Sequence, residues 1–205
     1  MQTRTSVRFA IQKSGRLCDD SLKLLKKWGV IAKRLDKNQL VVASSDGRFE
    51  VLFVRSGDVP QYVQSGAADF GITGLNVLYE KKYDVIRLQD FDFAVCKLVI
   101  AVPDRSAIKS IKDLEGERIA TSHPNSLKRF LKKNGISAAI IEIKGSVEAA
   151  PELGLADAIC DLVQTGKTLK AHKLKATEEI YKSNAIFVES PYMTNSARKF
   201  KEAIL

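Results

Sequence analysis

The sequence predicts an α/β protein of two lobes. Strand-like and helix-like stretches alternate along all 205 residues, a pattern typical of mostly parallel sheets joined by helices. Hydrophobic residues make up 45% of the chain, which is enough to bury a substantial core. Residues 1–92 together with 184–205 are predicted to form lobe I, and residues 93–183 are predicted to form lobe II. We expect a ligand cleft between the lobes.

Five apolar stretches are the predicted strands of lobe I. They are short and bounded by polar or glycine-containing segments, and they cover residues 7–12, 40–44, 49–55, 68–73 and 184–190.

Four helices are predicted in the same lobe. The helix over 18–28 has apolar residues at helical spacing and a glycine stop: Cys18, Leu22, Leu25 and Gly29. Asp58 is a predicted N-cap, with Pro60 in the first turn of its helix. A third helix begins near Asn76, and roughly the last twelve residues form the fourth.

Lobe II repeats the alternation. Its predicted extended segments cover residues 96–103, 117–121, 138–143, 156–163 and 177–182.

Three helices are predicted between these segments. One is short and ends near Leu114, and another short one covers 147–153. The longest spans 122–135, with Pro124 in its first turn and Gly135 at its end.

The charge and the isolated side chains restrict the class of function. A net charge of +9 favours acidic, polyphosphate or nucleic-acid ligands. The basic residues are scattered and few aromatics lie among them, so nucleic-acid binding is the weakest of these hypotheses. His123 and His172 lack ligand spacing, and we interpret both as non-metal residues.

Nothing in the sequence indicates membrane insertion or secretion. No apolar run approaches the ~20 residues of a membrane span, and the N-terminus lacks a signal-like stretch. Cys18, Cys96 and Cys160 form no CxxC pair and no evident disulfide framework. A cytoplasmic location is therefore expected.

The segment "DLVQTGKTLKA", Asp161 to Ala171, follows a predicted strand. Ligands of α/β sheets gather at the carboxyl ends of strands, and Gly166 would let backbone N–H groups approach a phosphate. Thr165 and Thr168 add hydroxyl donors. The spacing excludes a nucleoside-triphosphatase P-loop, because Asp161 occupies the position of its first glycine. An acid followed by this turn suits a ribose 5-phosphate, while an ordinary strand-to-helix turn is an equal alternative.

Four stretches carry a resemblance to a known family. They are "AIQKSGRL" (10–17), "VRSGDVPQYVQSGAADFGITGLNVLYE" (54–80), "RIATSHPN" (118–125) and "GSVEAAPELGLADAICDLVQTGKTL" (145–169). Together they resemble the ATP phosphoribosyltransferase family over nearly the whole chain. The resemblance implies a two-lobed fold like that of type II periplasmic binding proteins. It also implies transfer of phosphoribosyl from phosphoribosyl pyrophosphate (PRPP) to N1 of ATP, the first step of histidine biosynthesis, with Mg²⁺ carried by the polyphosphates.

The resemblance assigns roles to residues of lobe II. The PRPP loop matches Asp161, Thr165, Gly166, Lys167, Thr168 and Leu169. Asp161 is assigned to the ribose hydroxyls, and the hydroxyl and backbone donors of residues 165–169 are assigned to the 5-phosphate. Glu148 is a weaker candidate for a ribose or metal contact, and charge stabilisation at a helix start is an equal alternative. No side chain is assigned firmly to the metal.

Contacts to the polyphosphates are assigned mainly in lobe I. Arg16 is the favoured cation on the polyphosphate because its guanidinium can bind phosphate bidentately, and Lys13 accompanies it as a catalytic candidate. Lys97, Arg55 and Asp58 are weaker candidates for ATP or pyrophosphate. The alternatives are a solvated basic loop for Lys13 and Arg16, a surface lysine for Lys97 and a helix cap for Asp58.

One position departs from the family. Many short-form members carry an arginine just before the strand that starts here at Leu40, whereas this chain has Asn38 and Gln39 with Lys37 adjacent. Either Lys37 substitutes or the contact to the leaving group lies elsewhere.

The length resembles that of the family's short form, because the chain stops after its last predicted helix. That form implies a catalytic dimer and a separate regulatory subunit similar to histidyl-tRNA synthetase, usually in a hetero-octamer. A solute-binding protein of the same two-lobed fold is the alternative from another functional class.

Overall fold

The computed structural model describes residues 4–33, 36 and 38–205, which divide into two compact units. Unit 1 comprises Met1–Leu78, Lys82–Ala94 and Asn184–Leu205, and unit 2 comprises Tyr79–Lys81 and Val95–Ser183.

This division differs in detail from the predicted lobes. Phe93 and Ala94 lie in unit 1, where the Phe93 ring stacks on Phe91 with the centroids 5.3 Å apart. Tyr79–Lys81 lies in unit 2. The Glu80 carboxylate there accepts hydrogen bonds from the backbone N–H groups of Asn125 and Ser126.

The strands of the described residues are numbered in chain order. They are β1 (Val7–Gln12), β2 (Val41–Ala43), β3 (Phe49–Val54), β4 (Phe70–Gly74), β5 (Ile86–Asp90), β6 (Cys96–Pro103), β7 (Arg118–Thr121), β8 (Ala139–Glu142), β9 (Ala158–Val163), β10 (Leu174–Ser183) and β11 (Ala185–Glu189).

The helices follow the same order. They are α1 (Arg16–Lys27), α2 (Val59–Gln64), α3 (Leu75–Glu80), α4 (Pro124–Asn134), α5 (Lys167–Ala171) and α6 (Asn195–Ile204). Three short 3₁₀ helices lie in the described residues at Ser56–Asp58, Ile111–Leu114 and Val147–Ala149.

Each unit is built on one mixed sheet. The order is β2-β3-β1-β4-β11-β5 in unit 1 and β10-β6-β9-β7-β8 in unit 2. Four of the nine strand pairings in the described residues are parallel, so the prediction of mostly parallel sheets is wrong. Strand–helix alternation produces only the parallel trios β3-β1-β4 and β8-β7-β9, and the strands added beside each trio run antiparallel.

One strand was missed, and two local predictions need correction. The strand β5 was not predicted, because IRLQD lacks an apolar run and lies largely exposed at a sheet edge. Asp58 precedes α2, but its backbone is already helical and its side chain makes no capping hydrogen bond. The helix predicted over 147–153 is only the 3₁₀ helix Val147–Ala149.

Aromatic rings form the centre of the unit 1 core. Phe70 stacks between Phe9 and Phe187, with centroid distances of 5.4 and 5.1 Å. Phe200 of α6 meets the edge of Phe9 at 5.4 Å, which fixes the C-terminal helix on the sheet. Such ring pairs add to the free energy gained by burying their apolar surface.

Gly71 of β4 allows α2 to pack directly on the sheet. A Cβ at this position would lie 2.8 Å from Val59 Cγ1 and 2.8 Å from Val63 Cγ2. No side chain fits into that space unless the helix moves.

A buried carboxylate joins three segments of unit 1. Asp69 accepts hydrogen bonds from the Arg4 guanidinium at 2.5 Å, the Arg8 backbone N–H at 2.8 Å and the Thr194 backbone N–H at 3.1 Å. Only 1% of its side chain is exposed, so removing the carboxylate leaves these buried donors without a hydrogen-bond acceptor.

Asp69→Ala should therefore lower the free energy of unfolding by about 3–5 kcal/mol. Urea denaturation followed by circular dichroism measures the change. Asp20→Ala is the control, because Asp20 pairs with Lys23 on the surface of α1, and its midpoint should stay near wild type. Equal midpoints for the two variants would contradict the structural role of Asp69.

Candidate active site

Three parallel strands of unit 2 end side by side. In β7 and β9 Thr121 is paired with Cys160, and in β7 and β8 it is paired with Glu142. The residues that follow these positions include Ser122 and Asp161, so the register brings them to the same edge of the sheet. In α/β folds this carboxyl edge is where ligands bind.

The loop after β9 turns at a glycine directly into a short helix. Gly166 has a φ of +72°, a left-handed conformation that glycine adopts without strain, and α5 begins at the next residue. Leu169 is buried and anchors the helix, whereas Thr165 and Thr168 are exposed. Within the described part of the chain no hydrogen bond is found from either threonine hydroxyl, so both can serve a ligand.

Asp161 lies half-buried beside this loop. Burial raises the pKa of its carboxyl, and the negative charge of Glu148 acts in the same direction. The backbone N–H of Leu162, which donates at 2.8 Å, and the neighbouring His123 and Ser122 lower that pKa. A half-buried acid with donors on one side has oxygen capacity left for ribose hydroxyls.

Glu148 is brought towards Asp161 by a strained turn. Ser146, which precedes the 3₁₀ helix carrying Glu148, has a φ of 50°, an uncommon conformation for a residue with a Cβ. Val147 is buried in the core beneath and holds this turn against β9.

Ser122 and His123 were not predicted as site residues. The His123 backbone N–H donates to Thr121 Oγ1 at 2.8 Å, and its ring Nδ1 lies 2.9 Å from Ser122 Oγ. Burial lowers the pKa of the His123 imidazole, against the opposing charges of Asp161 and Glu80. Two signals were available: both residues come directly after a predicted strand, and both lie in RIATSHPN (118–125), a stretch that carries the family resemblance.

Lys97 already has an ionic partner. Its Nζ lies 2.6 Å from Glu179 Oε2, and 49% of its side chain is exposed. It stands opposite Val163 of β9 and so near the loop, but an ion pair with Glu179 competes with any phosphate contact.

The unit 1 candidates for contacts to the polyphosphates gather at an equivalent edge. Gln12 of β1 is paired with Val54 of β3, so the turns that follow these two strands are neighbours. Lys13 and Arg16 are exposed in the first turn, and Arg55 and Asp58 are exposed in the second; Arg16 begins α1.

Unit 1 has a cavity of about 540 Å³ at this edge, and unit 2 has a cavity of about 430 Å³. It is lined by Lys13, Ser14, Gly15, Cys18, Asp19, Leu22 and Phe53. Lys37 lies outside the described residues, and Asn38 and Gln39 are exposed ahead of β2.

Two observations bear on metals and membranes. Within residues 4–33, 36 and 38–205 no group of three or more His, Cys, Asp or Glu side chains is arranged to hold a metal ion. No helix in this part of the chain has the length and apolar character needed to cross a bilayer.

Two mixed sheets, each with polar turns collected where three parallel strands end, define an α/β protein with the type II binding-protein fold. The alkanesulfonate-binding protein SsuA from Xanthomonas axonopodis pv. citri shares this fold, with a TM-score of 0.62 over 100% of this chain and 72% of its own. The identity is 16%, which shows the fold alone.

The family follows from closer relatives. The family model described as HisG, ATP phosphoribosyltransferase, matches residues 55–205. The ATP phosphoribosyltransferase of Cytophaga hutchinsonii is 45% identical over 203 residues, which are 98% of this chain and 68% of the relative. The chain also resembles one in the HisG:HisZ complex from Thermotoga maritima, with 34% identity and a TM-score of 0.80 over 95% of this chain and 92% of that chain.

The chain therefore belongs to the ATP phosphoribosyltransferase family. These enzymes are glycosyltransferases that act at the first step of histidine biosynthesis. The family, the fold class and the enzymatic activity expected from the sequence are confirmed.

Proposed function

We propose that the segment from Asp161 to Leu169 binds PRPP in the phosphoribosyl transfer to ATP. The observation that carries the proposal concerns Thr165 and Thr168, on either side of the left-handed Gly166: their hydroxyls make no hydrogen bond within the described residues. With the backbone N–H groups of this turn they form a set of donors suited to a 5-phosphate. Asp161 is the acceptor for the ribose hydroxyls, and Glu148 is a weaker candidate for a second contact to the ribose or to the metal.

The chemistry needs position and charge more than a side-chain nucleophile. Adenine N1 attacks the anomeric carbon with its own lone pair, the bond to pyrophosphate breaks, and positive charge develops on the ribose. Cations beside the departing pyrophosphate then lower the barrier. Arg16 is our principal candidate, with Lys13 beside it, and Arg55, Asp58 and Lys97 have weaker roles towards ATP or pyrophosphate.

Mg²⁺ enters with the substrates in this proposal. The described residues offer no side-chain group arranged as a cage for a metal, and Mg²⁺ commonly binds through substrate phosphates with few protein ligands. The ion would neutralise part of the polyphosphate charge, and the protein would supply the remaining donors.

The proposed assembly is that of the short form in the cytoplasm. Its support is the similarity to the Thermotoga maritima chain, of which this chain covers 92%. We propose a catalytic dimer that joins a regulatory subunit similar to histidyl-tRNA synthetase in a hetero-octamer. Mass photometry of the purified chain, alone and with such a subunit, would test this; a chain that stays alone in the mixture would contradict it.

Turnover is the direct test of the activity. The purified chain is mixed with ATP, PRPP and Mg²⁺, with and without the regulatory subunit, and product absorbance and pyrophosphate release are followed. PRPP binding without turnover in either mixture would favour the solute-binding alternative.

Thr168→Ala should raise the Kd for PRPP about tenfold, because it removes one hydrogen bond to a charged phosphate. Isothermal titration calorimetry measures the affinity. Thr5→Ala is the control, since Thr5 is an exposed threonine of unit 1. Equal affinity in Thr168→Ala and wild type would refute the 5-phosphate assignment of this hydroxyl.

A further inference from the structure

We propose that Ser122 and His123 are positioning residues for Asp161: the imidazole holds the Ser122 hydroxyl so that its proton points at the Asp161 carboxylate. This inference rests on the proposed role of Asp161 in binding the ribose of PRPP. The motif after β9 does not contain either residue, and only the sheet register brings them to it.

The backbone fixes where the pair lies. Thr121 Oγ1 donates to the Cys160 carbonyl at 2.7 Å and accepts the His123 backbone N–H at 2.8 Å. One buried hydroxyl thereby ties the end of β7 to the residue before Asp161. Because paired residues of neighbouring strands face the same side, Ser122 comes to the face that carries Asp161.

The direction of the proton follows from the hydroxyl's capacity. A serine has one O–H to donate. Ser122 Oγ lies 2.9 Å from His123 Nδ1, and the register of β7 and β9 places Ser122 next to Asp161. A carboxylate can only accept, so the hydroxyl proton belongs on the Asp161 side. His123 must then donate from Nδ1, which selects that tautomer of the neutral ring.

The charges around the pair are consistent with this arrangement. His123 faces the carboxylates of Asp161 and Glu80, and Asp161 also faces Glu148. Burial and Glu148 both favour a protonated Asp161, whereas the Leu162 backbone N–H, the positive charge of a protonated His123 and the Ser122 hydroxyl favour the ionised form. The Ser122 hydroxyl therefore adds to the donors that stabilise the ionised Asp161 carboxylate against burial and Glu148.

The test compares Ser122→Ala and Ser122→Thr by calorimetric titration with PRPP and Mg²⁺ from about pH 4.5 to about pH 8. Ser122→Ala should weaken PRPP binding about tenfold at neutral pH, since a hydrogen bond to a charged group is lost. It should also move the acid limb of the binding profile to higher pH. Ser122→Thr keeps a hydroxyl and should restore both.

The imidazole is tested in the same way. His123→Phe should weaken PRPP binding about threefold, whereas His123→Asn, whose amide can donate from the place of Nδ1, should stay near wild type. Ser137→Ala, at an exposed serine of unit 2, is the control for hydroxyl loss.

The outcomes separate this inference from the proposed function. Unchanged PRPP affinity in Asp161→Asn would sink the assignment of Asp161 itself. If Asp161→Asn weakens binding but Ser122→Ala does not, or weakens it without moving the acid limb, only the positioning pair is overturned. If the pair acts through Asp161, Ser122→Ala should not weaken PRPP binding further in the Asp161→Asn background.

Discussion

Asp161→Ala should raise the Kd for PRPP by about 100-fold or more, because the carboxylate would accept two charge-assisted hydrogen bonds from the ribose. The affinity for ATP alone should change little. Calorimetric titration with each substrate measures both effects, and Glu152→Ala provides an exposed acid of unit 2 as control. Wild-type PRPP affinity in Asp161→Ala would exclude the carboxylate from the donor site.

The stability of the same site gives an independent check. The folded-state pKa of Asp161 is raised from its ordinary value of 3.8, chiefly by burial. The stability linked to this group is present below the unfolded pKa and is lost as the pH rises through the folded pKa. At neutral pH the free protein carries an ionised acid at a cost, so Asp161→Asn should increase the melting temperature while it weakens PRPP binding.

Arg16→Ala should slow the single-turnover rate by about 100- to 1000-fold, which is the loss typical of one group that stabilises charge in the transition state. Binding of PRPP and ATP should weaken by less than about tenfold, because ground-state contacts are shared with other donors. Alanine is a good helix former, so α1 should keep its first turn.

Rapid-quench measurements under single-turnover conditions separate rate from affinity. Arg16→Lys should recover only part of the rate, because an ammonium group cannot bind two phosphate oxygens in one plane. Arg105→Ala, at an exposed arginine of unit 2, is the control. A wild-type rate in Arg16→Ala would move the catalytic cation elsewhere in the molecule.

Local signals predicted most of the elements. Gly135 ends α4 with a φ of +67°, as its place after an apolar stripe indicated, and the strand predicted over 7–12 is confirmed as β1. The edge strand β5 gave no such signal because its residues bury little surface. Strand direction was mispredicted because alternation with helices describes only the parallel trio in each sheet.

The same distinction applies to the site. The turn from Thr165 to Thr168 is a contiguous motif, so its resemblance to the family's PRPP loop is visible in the order of the residues alone. Ser122 and His123 lie about forty residues earlier, and they reach Asp161 only through the register of β7 and β9. Such a long-range pairing depends on packing that no short stretch of sequence contains.

The position of the basic turns at the edge of unit 1 depends on the missing side chain at Gly71. With nothing between them, the valines of α2 rest against the backbone of β4, and the Arg55 turn is joined directly to that helix. Even the methyl group of alanine at position 71 would push α2 away from β4, and the Arg55 turn would move with α2 away from the turn at Lys13. The relative position of the exposed Lys13 and Arg55 turns thus depends on the close packing of α2 on β4 at Gly71.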